Sequence, residues 1–175
     1  SPEGSLLPEG IGQAAADATA QILGSQGKVL LILPQRRNFT DPATEIQSAS
    51  FRKALARLKG ISLVATERIE VERPGTMGAG GMDAGEFRQL VDRHAEAAVV
   101  VSLADFPEFP STAWAGLKAR KYVVLGSANV QLKALITAEV VQAALVPRQQ
   151  PAATDKKPKT ASEWFRSAYE VVTLA

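Results

Sequence analysis

Five short runs rich in Val, Ile and Leu, with helix-spaced stretches between them, constrain this chain more than any other feature. They occupy residues 28–33, 61–71, 97–103, 121–125 and 140–146. Their apolarity is continuous rather than alternating, so each run has to be covered on both faces. Strands that alternate with helices connect by right-handed crossovers and pair in parallel. The expected fold is a three-layer α/β/α domain around a five-stranded, mostly parallel, doubly wound sheet in the order 2-1-3-4-5.

The connecting segments carry helix start signals. Asp41-Pro42 sets an N-cap ahead of a first-turn proline, and Phe51, Ala54, Leu55 and Leu58 then recur at helical spacing. Asp83 and Glu86 have the capping-box spacing, followed by Phe87, Leu90, Val91, His94 and Ala95 on one face. Ser111 and Asn129 are placed to cap two shorter helices. An Ala-rich helix over about residues 10–23, ending at Gly24, precedes the first strand.

The whole chain, 1–175, reads as a single domain with its core over about 10–147. Residues 148–160 are rich in Pro, Ala, Gln and Lys, which favours extended backbone on the surface. A closing helix over 161–173, opened by Thr160 and Glu163, carries Trp164, Phe165, Ala168, Val171 and Val172 as an apolar stripe expected to dock onto the body. A length of 175 residues suffices to bury about 70% of the unfolded chain's surface in one core.

Cysteine is absent, which rules out thiol catalysis, Cys-ligated zinc and disulfides. The net charge of +2 owes much to Arg148, Lys156, Lys157 and Lys159, and aromatics make up only 6% of the chain. A nucleic-acid reader would show a basic face interleaved with aromatics, so no nucleic-acid partner is expected. No apolar run reaches the roughly 18 residues of a spanning helix, so this segment is not expected to insert into a membrane. The opening Ser1-Pro2-Glu3-Gly4 reads as a trimmed start, with a leader or anchor expected ahead of it.

In an open parallel sheet, ligands bind outside the carboxyl ends of the strands, where strand order reverses. The candidate ligand-binding residues are therefore those of the loops there. Arg36 and Arg37, with Asn38 beside them, can grip a carboxylate or phosphate. The loop of residues 75–82 brings Gly78, Gly80 and Gly81 to the N-terminus of the helix capped by Asp83, where amides can face an anion. It lacks both the Gly-x-Gly-x-x-Gly spacing and the Gly-Lys-Ser/Thr ending. Ser102, Asp105, Ser127 and Asn129 are short polar groups suited to a small polar ligand, and they are equally suited to capping and turns. His94, the one histidine, lies along a helix away from these loops and reads as structural. No Gly-x-Ser-x-Gly elbow is present, and no catalytic residue, metal site or cofactor is assigned.

The phrases FRKALARLKGISLV, AAVVVSLADFP and KYVVLGSANVQLKALITAEVVQAALVPR, in this order of elements, resemble one lobe of the type 1 periplasmic-binding-protein fold, over about residues 27–147. Many flavodoxin-like and Rossmann-like domains share the pattern. The resemblance implies a bacterial, extracytoplasmic domain that contacts a solute through the strand-end loops. That family clamps its solute between two lobes, so a single lobe implies a missing second domain, a lobe that stands alone, or a homodimer. The leading expectation is a non-catalytic domain for a small polar or anionic ligand. A hydrolase or transferase using Asp105 with the 75–81 loop, and a structural scaffolding module, are the alternatives.

Overall fold

The computed structural model describes residues 2–71, 81–153 and 156–174. Helix α1 (Pro2–Leu23) leads into β1 (Gly27–Gln35), α2 (Pro42–Ala56), β2 (Ile61–Glu70), α3 (Ala84–Asp92) and β3 (Val99–Ser102). A single 3-10 turn, Ser111–Ala113, precedes α4 (Trp114–Leu117), then β4 (Lys121–Leu125), α5 (Val130–Thr137), β5 (Ala143–Pro147), α6 (Ala161–Ala168) and β6 (Tyr169–Val172). The sheet runs β2-β1-β3-β4-β5-β6. Strands β1 to β5 are all parallel, in the expected order, and β6 alone is antiparallel, added along the open edge of β5.

Both faces of the sheet are buried, as the continuous apolar runs require. On one face Leu30, Ile32, Val100, Val124 and Ala144 pack under Phe87, Leu90 and Val91 of α3, Leu117 of α4, and Leu132 and Leu135 of α5. On the other, Val29, Leu31, Leu33, Val101, Val123 and Leu145 pack under α1, under Phe51 and Leu55 of α2, and under Phe165 of α6. At about 25 cal/mol per Å² of apolar surface removed from water, these two layers are the main source of stability.

The N-caps follow the sequence at four helices. Asp41 accepts from the Ala43 N–H, Asp83 from Glu86, Asn129 from Leu132 and Thr160 from Glu163. Ser111 does not cap. Pro110 holds that position with no side-chain hydrogen bond, and Ser111 instead starts the 3-10 turn.

Three further expectations are corrected. The sheet has six strands rather than five. The closing helix ends at Ala168, and Tyr169-Glu170-Val171-Val172 becomes β6, because a β-branched and aromatic tetrapeptide finds unpaired backbone along β5. Helix α1 starts at Pro2 rather than near Gly10 and runs through Pro8. Packing offsets the lost helical hydrogen bond there: Pro8 is buried, Leu7 joins the α1–α2 layer, and the Glu9 carbonyl accepts from the Ser50 hydroxyl at 2.6 Å. Among described residues 148–153 and 156–159, no helix or strand forms, as the composition implies.

Helix α6 does dock on α1, through Ala161 and Phe165, both buried, whereas Trp164 is half-buried. Gly10 makes this possible, since a Cβ there would overlap the Ala161 carbonyl. Phe165→Ala is expected to cost about 3–5 kcal/mol in urea denaturation, with Trp164→Ala costing less. Gly10→Ala is expected to cost about 1–3 kcal/mol through overpacking. Wild-type midpoints for both Phe165→Ala and Gly10→Ala would show that this docking contributes nothing.

Candidate functional site

Strand β1 lies between β2 and β3, so its outgoing connection and the one entering β3 leave the sheet on opposite sides. Such a reversal of strand order opens a crevice at the carboxyl edge. Three described loops border that edge.

The first follows β1. The Phe39 N–H donates to the Arg36 carbonyl at 3.4 Å, closing a tight turn in which Asn38 takes φ +57°, a conformation Asn tolerates. Arg37 and Asn38 therefore sit at the exposed tip, while Arg36 turns back, half-buried. Beneath the turn lies a cavity of about 370 Å³ whose walls include Gln35, Arg36, Phe39, Asp41, Glu45 and Arg68. Arg68 reaches it because it aligns with Leu33 at the end of β1, and it pairs with Glu45 of α2 at 2.9 Å.

The second loop follows β3 and is organised by Ser102. That hydroxyl is fully buried, donates to the Asp105 carbonyl and accepts from the Ala104 N–H at 3.3 Å. Ser102 thus shapes the loop from inside. Asp105 stands at φ +71°, and its carboxylate accepts the Phe106 N–H at 2.7 Å. It also accepts the Ser127 backbone N–H, so one side chain bridges the ends of β3 and β4. Phe106 anchors the loop, with its ring centroid 5.2 Å from those of both Phe87 and Tyr122 in edge-to-face contacts.

Burial raises the Asp105 carboxyl above its ordinary value, and the two backbone hydrogen bonds oppose that rise. Gly126 makes room for the carboxylate, since a Cβ there would lie 2.5 Å from Asp105 Oδ1. In the third loop, Ser127 and Asn129 are exposed. The Asn129 side-chain oxygen is occupied by its cap on α5, which leaves the amide NH₂ group.

Of the sequence candidates, Arg36, Asp105, Ser127 and Asn129 are brought to the carboxyl edge, Arg36 and Asp105 half-buried and Ser127 and Asn129 exposed. Gly81 stands at φ +65° ahead of α3. Gly78 and Gly80, and most of the loop invoked for a hydrolase or transferase, lie outside the described residues. His94 is set apart from this edge, with Glu67 at 3.8 Å and Glu96 at 3.9 Å. Among the described residues, no group of acidic and histidine side chains is arranged to hold a metal ion.

Sequence reasoning missed Phe39 as a cavity wall, the Arg68–Glu45 pair, and Gly126 as the seat of Asp105. A glycine at a strand end facing an acidic loop was the one available signal. A larger cavity, about 510 Å³, lies beside α5 and β6. Two of its charged groups engage each other: Arg148 bonds the Glu170 carboxylate, and also the Arg166 carbonyl.

No protein-family model and no curated protein matches the sequence. Solved structures do match the fold. An ABC-transporter solute-binding protein from Burkholderia graminis, in complex with D-arabinose, aligns at TM-score 0.63 and 14% identity over 94% of this chain and 59% of its own. The arabinose-binding protein AraP from Geobacillus stearothermophilus gives TM-score 0.65 and 13% identity over 95% and 61%. A sugar-binding protein of a Bacillus halodurans sugar ABC transporter gives 0.61 and 14% over 95% and 62%. This chain therefore spans about 60% of the length of these proteins. The likeness is one of fold, and it bears out the resemblance to one lobe of the type 1 periplasmic-binding-protein fold.

A carboxyl whose folded value is raised stabilises the fold when protonated. That contribution is complete below the ordinary value of 3.8 and is lost as pH rises through the raised value. Asp105→Asn keeps a side-chain oxygen for the Phe106 N–H, tolerates positive φ and removes the half-buried charge. It is expected to equal or exceed the wild type in stability at neutral pH, with the gain shrinking as pH falls to 3.8. A large loss of stability at neutral pH would overturn this account. Gly126→Ala is expected to cost about 1–3 kcal/mol by displacing Asp105, read from the same denaturation series.

Proposed function

We propose that this domain is a non-catalytic binding module for a small polar solute, held along the carboxyl edge of the sheet. The observation that carries the reading is Asp105, a half-buried carboxylate at φ +71° that bridges the ends of β3 and β4 beside the switch point.

The chemistry suits a polyhydroxylated ligand. The Asp105 carboxylate accepts hydroxyl protons, the Ser127 hydroxyl and Asn129 amide add donors, and Arg36 adds a guanidinium on the β1 side. Arg37 and Asn38, exposed at the tip of the β1 turn, and Gly81 ahead of α3 would complete the rim. The solved structures of similar fold that carry D-arabinose or are described as sugar-binding support a solute of this kind.

The exposed side chains support a covered edge. Phe39 is 55% and Val130 86% exposed, and both stand at the carboxyl ends of strands, where a second lobe or a second copy would close over the solute. An extracytoplasmic location accords with this reading. Among the described residues no helix is long and apolar enough to cross a membrane.

Isothermal titration against D-arabinose, D-ribose, D-glucose, their sugar acids and ribose phosphate tests the proposal. At least one is expected to bind, and Asp105→Ala is expected to weaken it about 10- to 100-fold, the loss for a hydrogen-bonded charge. Absence of binding by every compound, or full affinity in Asp105→Ala, would refute it.

A further inference from the structure

The cavity under the β1 turn has an unequal charge economy. Its lining holds two guanidinium groups, Arg36 and Arg68, and two carboxylates, Asp41 and Glu45. Arg68 and Glu45 neutralise each other at 2.9 Å. Asp41 accepts the Ala43 N–H at 3.0 Å as the N-cap of the 15-residue helix α2, whose positive end offsets its charge.

Arg36 is left over. Its carbonyl is pinned by the Phe39 N–H and by the Gln35 side-chain amide at 3.2 Å, so its backbone is set. Its guanidinium has no partner among the described residues. A planar fork of donors held at the rim of a cavity suits a bidentate oxyanion. Phe39, on the same turn, presents an exposed ring as an apolar wall. The 370 Å³ volume is that of a small-molecule site. Asp105 follows β3, the strand next to β1 in the sheet, so it belongs to the same carboxyl edge as Arg36.

We infer that the solute is a small polyhydroxylated molecule carrying a single oxyanion, a sugar acid or a sugar phosphate, whose anion is gripped by Arg36 and whose carbon face lies on Phe39. The inference rests on the solute-binding reading above and names its ligand class. It separates this site from one built for neutral sugars.

The test is isothermal titration of the whole chain with matched pairs: D-glucuronate against D-glucose, D-arabinonate against D-arabinose, and ribose phosphate against D-ribose. The charged member of a pair is expected to bind about 10- to 100-fold more tightly, and the pair that shows it distinguishes carboxylate from phosphate. Arg36→Gln is expected to erase that preference. Arg36→Lys, which keeps the charge and loses the fork, should retain only part of it. Arg52→Gln, an exposed substitution elsewhere on α2, should leave it intact and controls for net charge. Equal binding of neutral members, or a preference that survives in Arg36→Gln, overturns the inference and leaves the solute-binding reading standing. No binding by any compound overturns both.

Discussion

Everything in this fold depends on the two-faced burial of the central strands. Val29 through Leu33 of β1 are each fully buried, with alternate side chains entering opposite apolar layers. A strand in that position leaves no face for solvent, so helices must cover both sides of the sheet. Covering both sides forces crossover connections, crossovers force parallel pairing, and parallel pairing gathers the carboxyl ends of all five strands at one edge. The candidate site is a geometric consequence of how the core is built.

The edge so formed is also where local structure departs from its easiest arrangement. Asn38 and Asp105 both adopt positive φ there, and Asp105 holds a carboxylate that burial disfavours as an anion. Around Asp105 the supports are structural: the Ser102 hydroxyl beneath its carbonyl, the ring of Phe106 in the aromatic cluster, and the missing Cβ of Gly126. Positive φ and a half-buried carboxyl at this edge are thus held in place by neighbouring groups.

The far side of the sheet shows how edges are managed. β5 would expose its backbone to solvent, and β6 caps it with four residues in antiparallel register. Because α6 and β6 are consecutive, docking of Phe165 on α1 and pairing of Tyr169 to Val172 on β5 reinforce each other. The β5 edge is closed by the chain's own end segment, while Phe39 and Val130 stay exposed at the carboxyl edge.

What the sequence determined by itself was what local patterns encode. Continuous Val, Ile and Leu runs specified buried parallel strands and their order. Asp41, Asp83, Asn129 and Thr160 announced helix starts that their side chains do cap. The strand-end loops followed from that topology, and with them Arg36, Asp105, Ser127 and Asn129. Only the tertiary structure decided the rest. Residues 169–172 carry valines that suit a helical stripe and a strand equally, and it was the unpaired edge of β5 that selected the strand. Ser102 and Asp105 look alike as polar residues after β3, yet one hydroxyl is sealed inside the loop while the other side chain, half-buried, bridges the ends of β3 and β4. Arg68 is distant in sequence from Glu45, and parallel register across β1 and β2 is what brings it to the cavity wall, while the Arg36 guanidinium has no partner among the described residues. Such outcomes depend on which groups long-range packing brings together, and no local pattern records that.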